Sequence, residues 1–282
     1  MKYLIFGGTG SLGQKIAGKL YGTDCKIYIF SRDEYKQYQM KKIYPKCHFI
    51  LGDIRDYDTF GNIPKNIQRV FNCAALKHVD IGEKNVDEYV KTNYFGVKNI
   101  IKYVDNNSDL YVHFSTDKAV KPINAYGMSK ALAEKYLETK ENNKYDIQVY
   151  RWGNILGSRG SVLDIFKTKI LNNESIPLTH PDMTRYWLTL DYAVDFVLKN
   201  IESKYPSQLI IPPNLKSAYV KDIASALGQI LEKEVKFEFV GMRPGEKIHE
   251  ELAINPSGIA SNSNLDSHYT RQELIEIIEG LI

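Results

Sequence analysis

Cysteine is scarce: Cys25, Cys47 and Cys73 are odd in number and have no metal-ligand spacing, which excludes a disulfide scaffold and a zinc module. Each falls in an expected strand, so reduced core thiols in a cytoplasmic protein are the natural reading. His48, His78, His113, His180, His249 and His268 are scattered and form no zinc pattern either. No apolar run approaches the ~20 residues of a membrane helix. Met1-Lys2 leads straight into a strand without a signal-peptide profile, so no membrane partner is expected. Excess charge of one sign is missing too. With 37 Lys and Arg against 34 Asp and Glu, the net charge is +3, and the dispersed basic residues call for no nucleic acid or anionic surface. There are no internal repeats, and only Asn255 to Ser267 reads as a Ser- and Asn-rich loop. What remains is a globular chain of 282 residues, 43% hydrophobic and 25% charged, long enough for one large domain or two unequal ones.

Lys2 to Phe6 form a short apolar strand, followed by Gly7-Gly8-Thr9-Gly10-Ser11-Leu12-Gly13 and a helical stretch from Gln14 to about Tyr21. Glycines at 7, 10 and 13 let the backbone turn tightly and approach a pyrophosphate, whose charge the helix amino terminus receives. A second strand, Cys25 to Phe30, ends at Ser31-Arg32-Asp33-Glu34, where dinucleotide folds meet the adenosine ribose. Arg32 suits a 2'-phosphate, whereas Asp33 is open to two readings, acceptor for a free 2'-hydroxyl or N-cap of the helix to Ile43. NADP is favoured over NAD. Strand three, Cys47 to Leu51, leads into Gly52-Asp53-Ile54, and strand four, Arg69 to Cys73, into Ala74-Ala75-Leu76-Lys77-His78. Small residues there admit a cofactor, and Asp53 suits an adenine amino group or simply forms a turn. The cofactor candidates are therefore Gly7, Thr9, Gly10, Ser11, Leu12, Gly13, Ser31, Arg32, Asp53, Ile54, Ala74, Ala75 and Lys77, joined by Tyr126 and Lys130.

The densest chemistry lies in Ser115 to Lys130, directly after the apolar strand Leu110 to Phe114. Tyr126 and Lys130 stand four residues apart on an expected helix, side by side after one turn. A neighbouring ammonium lowers a phenol's pKa, so Tyr126 is the candidate base and Lys130 its activator. A long helix is expected over Val86 to Val104 with Asn93 inside it, another from Ala125 to about Asn142, and a strand from Ile147 to Arg151. The loop from Trp152 to Ser161 is built like an anion site before a helix at Val162. Pro181 to Trp187 joins cationic and aromatic groups ahead of a helix from Asp191 to Ile201, and Gln208 to Ile211 reads as a last sheet strand. From Ala218 a helix, an alternating strand Lys236 to Val240 and a capped final helix at Thr270 suggest a small appended domain.

Strands alternating with helices predict an α/β fold: a Rossmann-type doubly wound parallel sheet with a smaller C-terminal substrate-binding domain. Residues 1–160 form the NADP-binding part, with 186–212 returning to it, and residues 161–185 and 213–282 form the substrate-binding region.

In this order the motifs resemble the extended short-chain dehydrogenase/reductase superfamily across nearly the whole chain. Phe30 to Glu34, Ala75 to Val79, Ser115 to Ala119, Arg151 to Asn154, Gly157 to Ser161 and Arg243 to Lys247 resemble the configuration-inverting UDP-N-acetylglucosamine 4,6-dehydratases, of the polysaccharide biosynthesis type, which make bacterial surface sugars such as pseudaminic acid. The resemblance implies that Tyr126 takes the 4-hydroxyl proton, Thr116 positions that hydroxyl, Lys118 is the base for C5 and Asp117 the acid for the departing 6-hydroxyl. As a base Lys118 must be neutral, so its pKa must fall through burial or nearby cations such as Lys130. The resemblance also places Lys77, Asn154, Arg159, Ser161, Thr179, Arg185, Arg243 and Glu246 around the UDP-sugar, with Arg185 alternatively a structural ion pair. It implies a tightly held, non-consumed NADP, no metal, and a homo-oligomer, dimer or hexamer. A UDP-sugar 4-epimerase is the alternative, although it needs no acid for a leaving hydroxyl.

Overall fold

The computed structural model describes residues 1–140, 144–203, 209–253 and 261–282. Continuous apolar runs fit a sheet covered on both faces, and such a sheet forms the centre. In chain order come β1 (Lys2–Phe6), α1 (Ser11–Leu20), β2 (Lys26–Ser31), α2 (Glu34–Ile43), β3 (His48–Leu51), β4 (Arg69–Asn72), α3 (Val79–Gly82) and α4 (Val86–Val90). They are followed by α5 (Gly96–Val104), β5 (Leu110–Thr116), α6 (Ala125–Glu138), β6 (Asp146–Trp152), β7 (Asn154–Leu156), α7 (Val162–Leu171), β8 (Ile176–Leu178) and β9 (Thr184–Thr189). The chain finishes with α8 (Leu190–Asn200), β10 (Leu209–Ile210), β11 (Ser217–Tyr219), α9 (Val220–Ile230), β12 (Phe237–Phe239) and α10 (Arg271–Glu279).

Seven strands pair in the order β10-β6-β5-β4-β1-β2-β3, all parallel. Alternation along each strand divides the core in two. Tyr3 and Ile5 of β1 face the layer that holds Ile16, Ala17, Val194 and Val197, whereas Leu4 and Phe6 face Val97, Ile100, Ile101 and Leu137. Strand order reverses between β1 and β4, which opens a crevice at their carboxyl ends. A third core joins α7, α9 and α10 through Leu163, Phe166, Ile223, Leu227, Leu274 and Ile278, beneath a sheet β11-β9-β7 and the pair β12-β8. The capping box at Thr270 and Glu273 starts α10.

Several local expectations shift. The cysteines border the strands: Cys25 and Cys47 directly precede β2 and β3, and Cys73 directly follows β4. The helix expected over Val86 to Val104 is broken by a π turn at Lys91–Phe95 that carries the buried Asn93. Ala218 belongs to β11, because Ser217–Tyr219 pairs antiparallel with β9 before the helix begins at Val220. Arg185, Tyr186 and Trp187 lie in β9, all buried. Asn142, Gln208 and the first part of the Asn255 to Ser267 loop fall outside the described residues.

Candidate active site

The glycine turn lies on the crevice. Gly7 adopts φ +69°, and a Cβ there would stand 2.6 Å from the Ala74 nitrogen, so the ends of β1 and β4 meet at a contact only glycine permits. Gly10 is the N-cap of α1 with no side chain spent on the helix's first amides, and the first turn carries no acidic residue. Those orphan donors and the bare backbone fit a dinucleotide pyrophosphate. Thr9, Ser11, Leu12 and Gly13 complete the turn.

At the end of β2, Asp33 resolves as an N-cap: its carboxylate accepts from the Lys36 amide at 2.9 Å and pairs with the Lys36 ammonium at 2.7 Å. These contacts hold its carboxyl below the usual range. Arg32 is the cation there, its side chain 54% exposed and its Nη1 3.6 Å from Asp53 Oδ2. Asp53, read as an adenine acceptor or a turn former, forms the turn, accepting from the Arg55 amide at 3.0 Å, and is gripped by the Arg55 side chain, whose Nε and Nη2 reach it at 2.9 and 2.6 Å while Nη1 reaches Glu88 at 2.6 Å. Arg55 follows no glycine or strand signal, so no local pattern singles it out. Ser31 and Ile54 are buried nearby, and Ala74 and Ala75 line the end of β4.

The end of β5 turns directly into a tight helical turn at Asp117–Ala119. Asp117 is fully buried, and its Oδ1 accepts from the Thr116 hydroxyl at 3.0 Å and from the Lys118 ammonium at 3.0 Å. Lys118 also donates to Asn154 Oδ1 at 3.1 Å, so Asn154 serves the amine in this structure. α6 is pressed on the same turn. A Cβ at Gly127 would come within 2.1 Å of the Lys118 carbonyl, so glycine is what lets Tyr126 sit against Lys118. Asn124 caps that helix by accepting from the Gly127 amide at 2.7 Å, and Glu83 accepts from the Ala125 amide at 2.7 Å.

Two electrostatic expectations are corrected. Burial pushes the Tyr126 phenol up to about 12, and the opposing influences are the Lys118 charge and a hydrogen bond with Thr116. Lys130 is not the partner. Its buried ammonium donates to His113 Nε2 at 2.8 Å and to the Phe114 carbonyl at 2.5 Å, and burial lowers its pKa to about 8. Lys118 was expected to be neutral. Burial does pull its pKa down, but the Asp117 and Glu250 carboxylates outweigh that and raise it, so the resting side chain is an ammonium.

Glu250 was not foreseen, since nothing in Ile248-His249-Glu250-Glu251 announces a site. It is 2% exposed and places Oε1 3.5 Å from Lys118 Nζ and 3.8 Å from Arg185 Nε. Asn93 was noted only as a helix residue, yet its amide accepts from Leu76 N at 2.9 Å and donates to Leu76 O at 2.9 Å and Ser129 Oγ at 3.0 Å. It ties the end of β4 to α6.

The substrate candidates divide. Arg185 is structural: its Nη atoms donate to the carbonyls of Thr184, Ile248 and Lys247 at 2.7, 3.0 and 2.8 Å. Arg159 lies over the glycine turn, donating to the Thr9 carbonyl at 2.5 Å and, through its amide, to Ser11 Oγ at 3.0 Å. Lys77 reaches the same loop, with Nζ 3.2 Å from the Arg159 carbonyl. The Ser161 hydroxyl is buried without a hydrogen-bond partner among the described residues, at the start of α7. Thr179 contacts Met183 Sδ at 3.4 Å. Arg243 and Glu246 line a small cleft with Val79, Asp80 and Pro244, and Glu246 accepts from the Arg243 amide at 3.1 Å. No cluster of His, Cys, Asp and Glu suited to a metal occurs among the described residues, and no helix is long and apolar enough to cross a membrane.

The profile of the family described as "Polysaccharide biosynthesis protein" matches residues 3–272. The chain is similar to the UDP-N-acetylglucosamine 4,6-dehydratase (inverting) of Campylobacter jejuni, 36% identical over 278 residues that cover 95% of this chain and 79% of the relative. It is also 36% identical over 278 residues to the UDP-glucose 4-epimerase of Rickettsia bellii, covering 94% of this chain and 81% of that one. Among solved structures, Pen from Bacillus thuringiensis matches with a TM-score of 0.91 at 27% identity, over 99% of this chain and 97% of that one. The dTDP-glucose 4,6-dehydratase of Streptomyces venezuelae shares the fold at a TM-score of 0.81 and 18% identity, over 99% of this chain and 96% of that one.

Proposed function

This chain belongs to the polysaccharide biosynthesis protein family, and within it we propose a UDP-N-acetylglucosamine 4,6-dehydratase of the inverting type that works with NADP. The observation that carries the reading is the Asp117–Lys118 pair, 3.0 Å apart and closed off at the end of β5 beside Thr116 and Tyr126. A 4-epimerase, the activity named for the Rickettsia relative, needs only proton and hydride exchange at C4 and has no use for a buried acid and amine.

Dehydration of a hexose requires oxidation at C4, loss of the C5 proton, departure of the 6-hydroxyl with a proton, and delivery of hydride to C6. The glycine turn would hold the pyrophosphate of NADP and Arg32 its 2'-phosphate, and the bound cofactor would supply the hydride acceptor for C4 and the donor for C6. The remaining tasks fall to side chains. Tyr126 takes the 4-hydroxyl proton while Thr116 holds that hydroxyl. The resulting ketone makes the C5 proton acidic.

Lys118 rests as an ammonium, yet its partner provides a way out. One proton moved from Nζ to Oδ1 across 3.0 Å turns ammonium and carboxylate into amine and carboxylic acid. That single transfer creates both the base for C5 and the acid for the 6-hydroxyl. Burial favours it, because two neutral groups cost less than an ion pair once a sugar has displaced water. The acid proton then sits on Oδ1, and it is from Oδ1 that the departing hydroxyl takes it.

Arg243, Asn154 and Ser161 are the remaining side chains we assign to the UDP-sugar, between the 1–160 part and the 161–185 and 213–282 regions. Exposed Phe95, Met128 and Leu132 beside α5 and on α6 support assembly as a homo-oligomer, dimer or hexamer. The test is proton NMR of the product formed from UDP-N-acetylglucosamine. A new methyl signal at C6 with the C4 proton gone is the expected result; an intact hydroxymethyl group with an inverted C4 proton would replace the dehydratase by an epimerase.

A further inference from the structure

Glu250 is the one buried carboxylate at the site to which the steps above give no task. Its backbone amide donates to Ser263 Oγ at 2.9 Å, which fixes it on the C-terminal segment, far in sequence from Asp117. Its side chain nevertheless reaches the same ammonium: Lys118 Nζ stands 3.0 Å from Asp117 Oδ1 and 3.5 Å from Glu250 Oε1. Two carboxylates thus share one amine. Each also keeps one oxygen buried and without a hydrogen-bond partner among the described residues, Asp117 Oδ2 and Glu250 Oε2. The Lys247 ammonium lies 3.9 Å from Glu250 Oε2, beyond hydrogen-bond reach, so the glutamate's short-range partner is the Lys118 amine rather than its own segment.

We propose that Glu250 is a positioning residue for Lys118, holding its amine toward the reacting carbon and setting how tightly it keeps its proton. This rests on the dehydratase reading only for its consequence at C5. The charged and titratable groups that act on Lys118 are Asp117 from its own turn, Tyr126 from α6, Arg185 from β9 and Glu250 from the C-terminal segment; Glu250 is in turn faced by Arg185 and by Lys247. Of the four besides Tyr126, only Asp117 and Glu250 favour the ammonium. Asp117 is consumed as the partner in proton transfer, because protonating it removes its charge. Glu250 is the second carboxylate beside the amine and takes no part in that transfer, so it governs how firmly Lys118 holds the proton it takes from C5. Atoms balance: Lys118 passes one proton to Asp117, which leaves with the 6-hydroxyl as water; the proton Lys118 takes from C5 exchanges with solvent before C5 is reprotonated on its other face, and the proton Tyr126 took from the 4-hydroxyl restores the Lys118 ammonium.

The experiment is a titration of the Lys118 ε-carbon by NMR in protein labelled with carbon-13 lysine, its signal identified by its loss in Lys118→Met. Glu250→Gln keeps the shape and removes the charge, leaving Lys247 and Arg185 in place. Its midpoint should fall by about 1 to 3 pH units, and Glu250→Asp should recover most of the shift. An unchanged midpoint in Glu250→Gln, or a midpoint in Glu250→Asp as low as in Glu250→Gln, would overturn the proposal. A second arm follows solvent deuterium entering C5 of the sugar, whose pH profile should move to lower pH in Glu250→Gln by the same interval. No deuterium entry in the wild type at any pH would overturn the dehydratase reading while leaving the lysine titration to stand or fall on its own.

Discussion

At the scale of single residues, the roles proposed for Tyr126 and Lys118 fall at different steps and are separable by mutation. Lys118→Ala should lower water loss by about 10²- to 10⁴-fold, the ordinary contribution of one acid–base group, while reduction of bound cofactor on adding UDP-N-acetylglucosamine persists. Full water loss in that variant would refute the base assignment. Tyr126→Phe should instead impair cofactor reduction itself. The pH dependence has a definite sign. Tyr126 accepts a proton only as phenolate, and burial has pushed its phenol up to about 12. The rate of cofactor reduction should therefore rise from neutral into alkaline pH by about tenfold per unit. In Lys118→Ala the nearby positive charge is gone, so that limb moves further alkaline; a limb that stayed put would mean Lys118 does not act on Tyr126. The helical spacing made Tyr126 and Lys130 neighbours in sequence, and sequence could go no further. Which cation faces the phenol depends on side-chain direction, and Lys130 points instead at His113 and the Phe114 carbonyl.

At the scale of elements, the site depends on how closely α6 lies on the turn after β5. Gly127→Ala would force a Cβ to within 2.1 Å of the Lys118 carbonyl, a backbone atom that cannot swing aside. Overpacking of this kind costs about 1–3 kcal/mol, and here it also moves Tyr126 from Lys118. Thermal unfolding and turnover should fall together. Gly61→Ala, where nothing lies within 4 Å, should change neither. The strands and most helices could be read from apolar runs and turn residues because the sheet is buried on both faces. The π turn around Asn93 could not, since one extra residue in a helical turn leaves the apolar pattern nearly unchanged. Its cause is tertiary: the amide of Asn93 must reach Leu76 and Ser129 at once. β11 was hidden for a similar reason, being a three-residue strand whose partner β9 is distant in sequence.

At the scale of the whole molecule, the C-terminal segment completes a site begun on the first sheet. Lys247 donates to the Val120 carbonyl at 2.7 Å, Arg151 to the Leu252 carbonyl at 2.9 Å, and Asn124 to the Gly245 carbonyl at 2.8 Å. These contacts carry Glu250 to Lys118. They lay outside sequence reasoning because no local pattern records which distant carbonyl a lysine will find. At the other end of the crevice, Asp33 is committed to capping α2, and Arg32, 3.6 Å from Asp53 Oδ2, is the cation proposed for the 2'-phosphate. Arg32→Ala should weaken NADP binding by about 10- to 100-fold, as expected for loss of a charged contact, and leave NAD binding nearly unchanged in equilibrium titrations; equal weakening of both would remove the 2'-phosphate from the role given to Arg32. The most direct measurement follows one atom through the reaction: UDP-N-acetylglucosamine carrying deuterium at C4 is incubated with the enzyme, and the product is read by mass and NMR. Deuterium in a C6 methyl group, in a product lighter by one water, is the expected result, whereas deuterium still at C4 of an isomer of unchanged composition would contradict it.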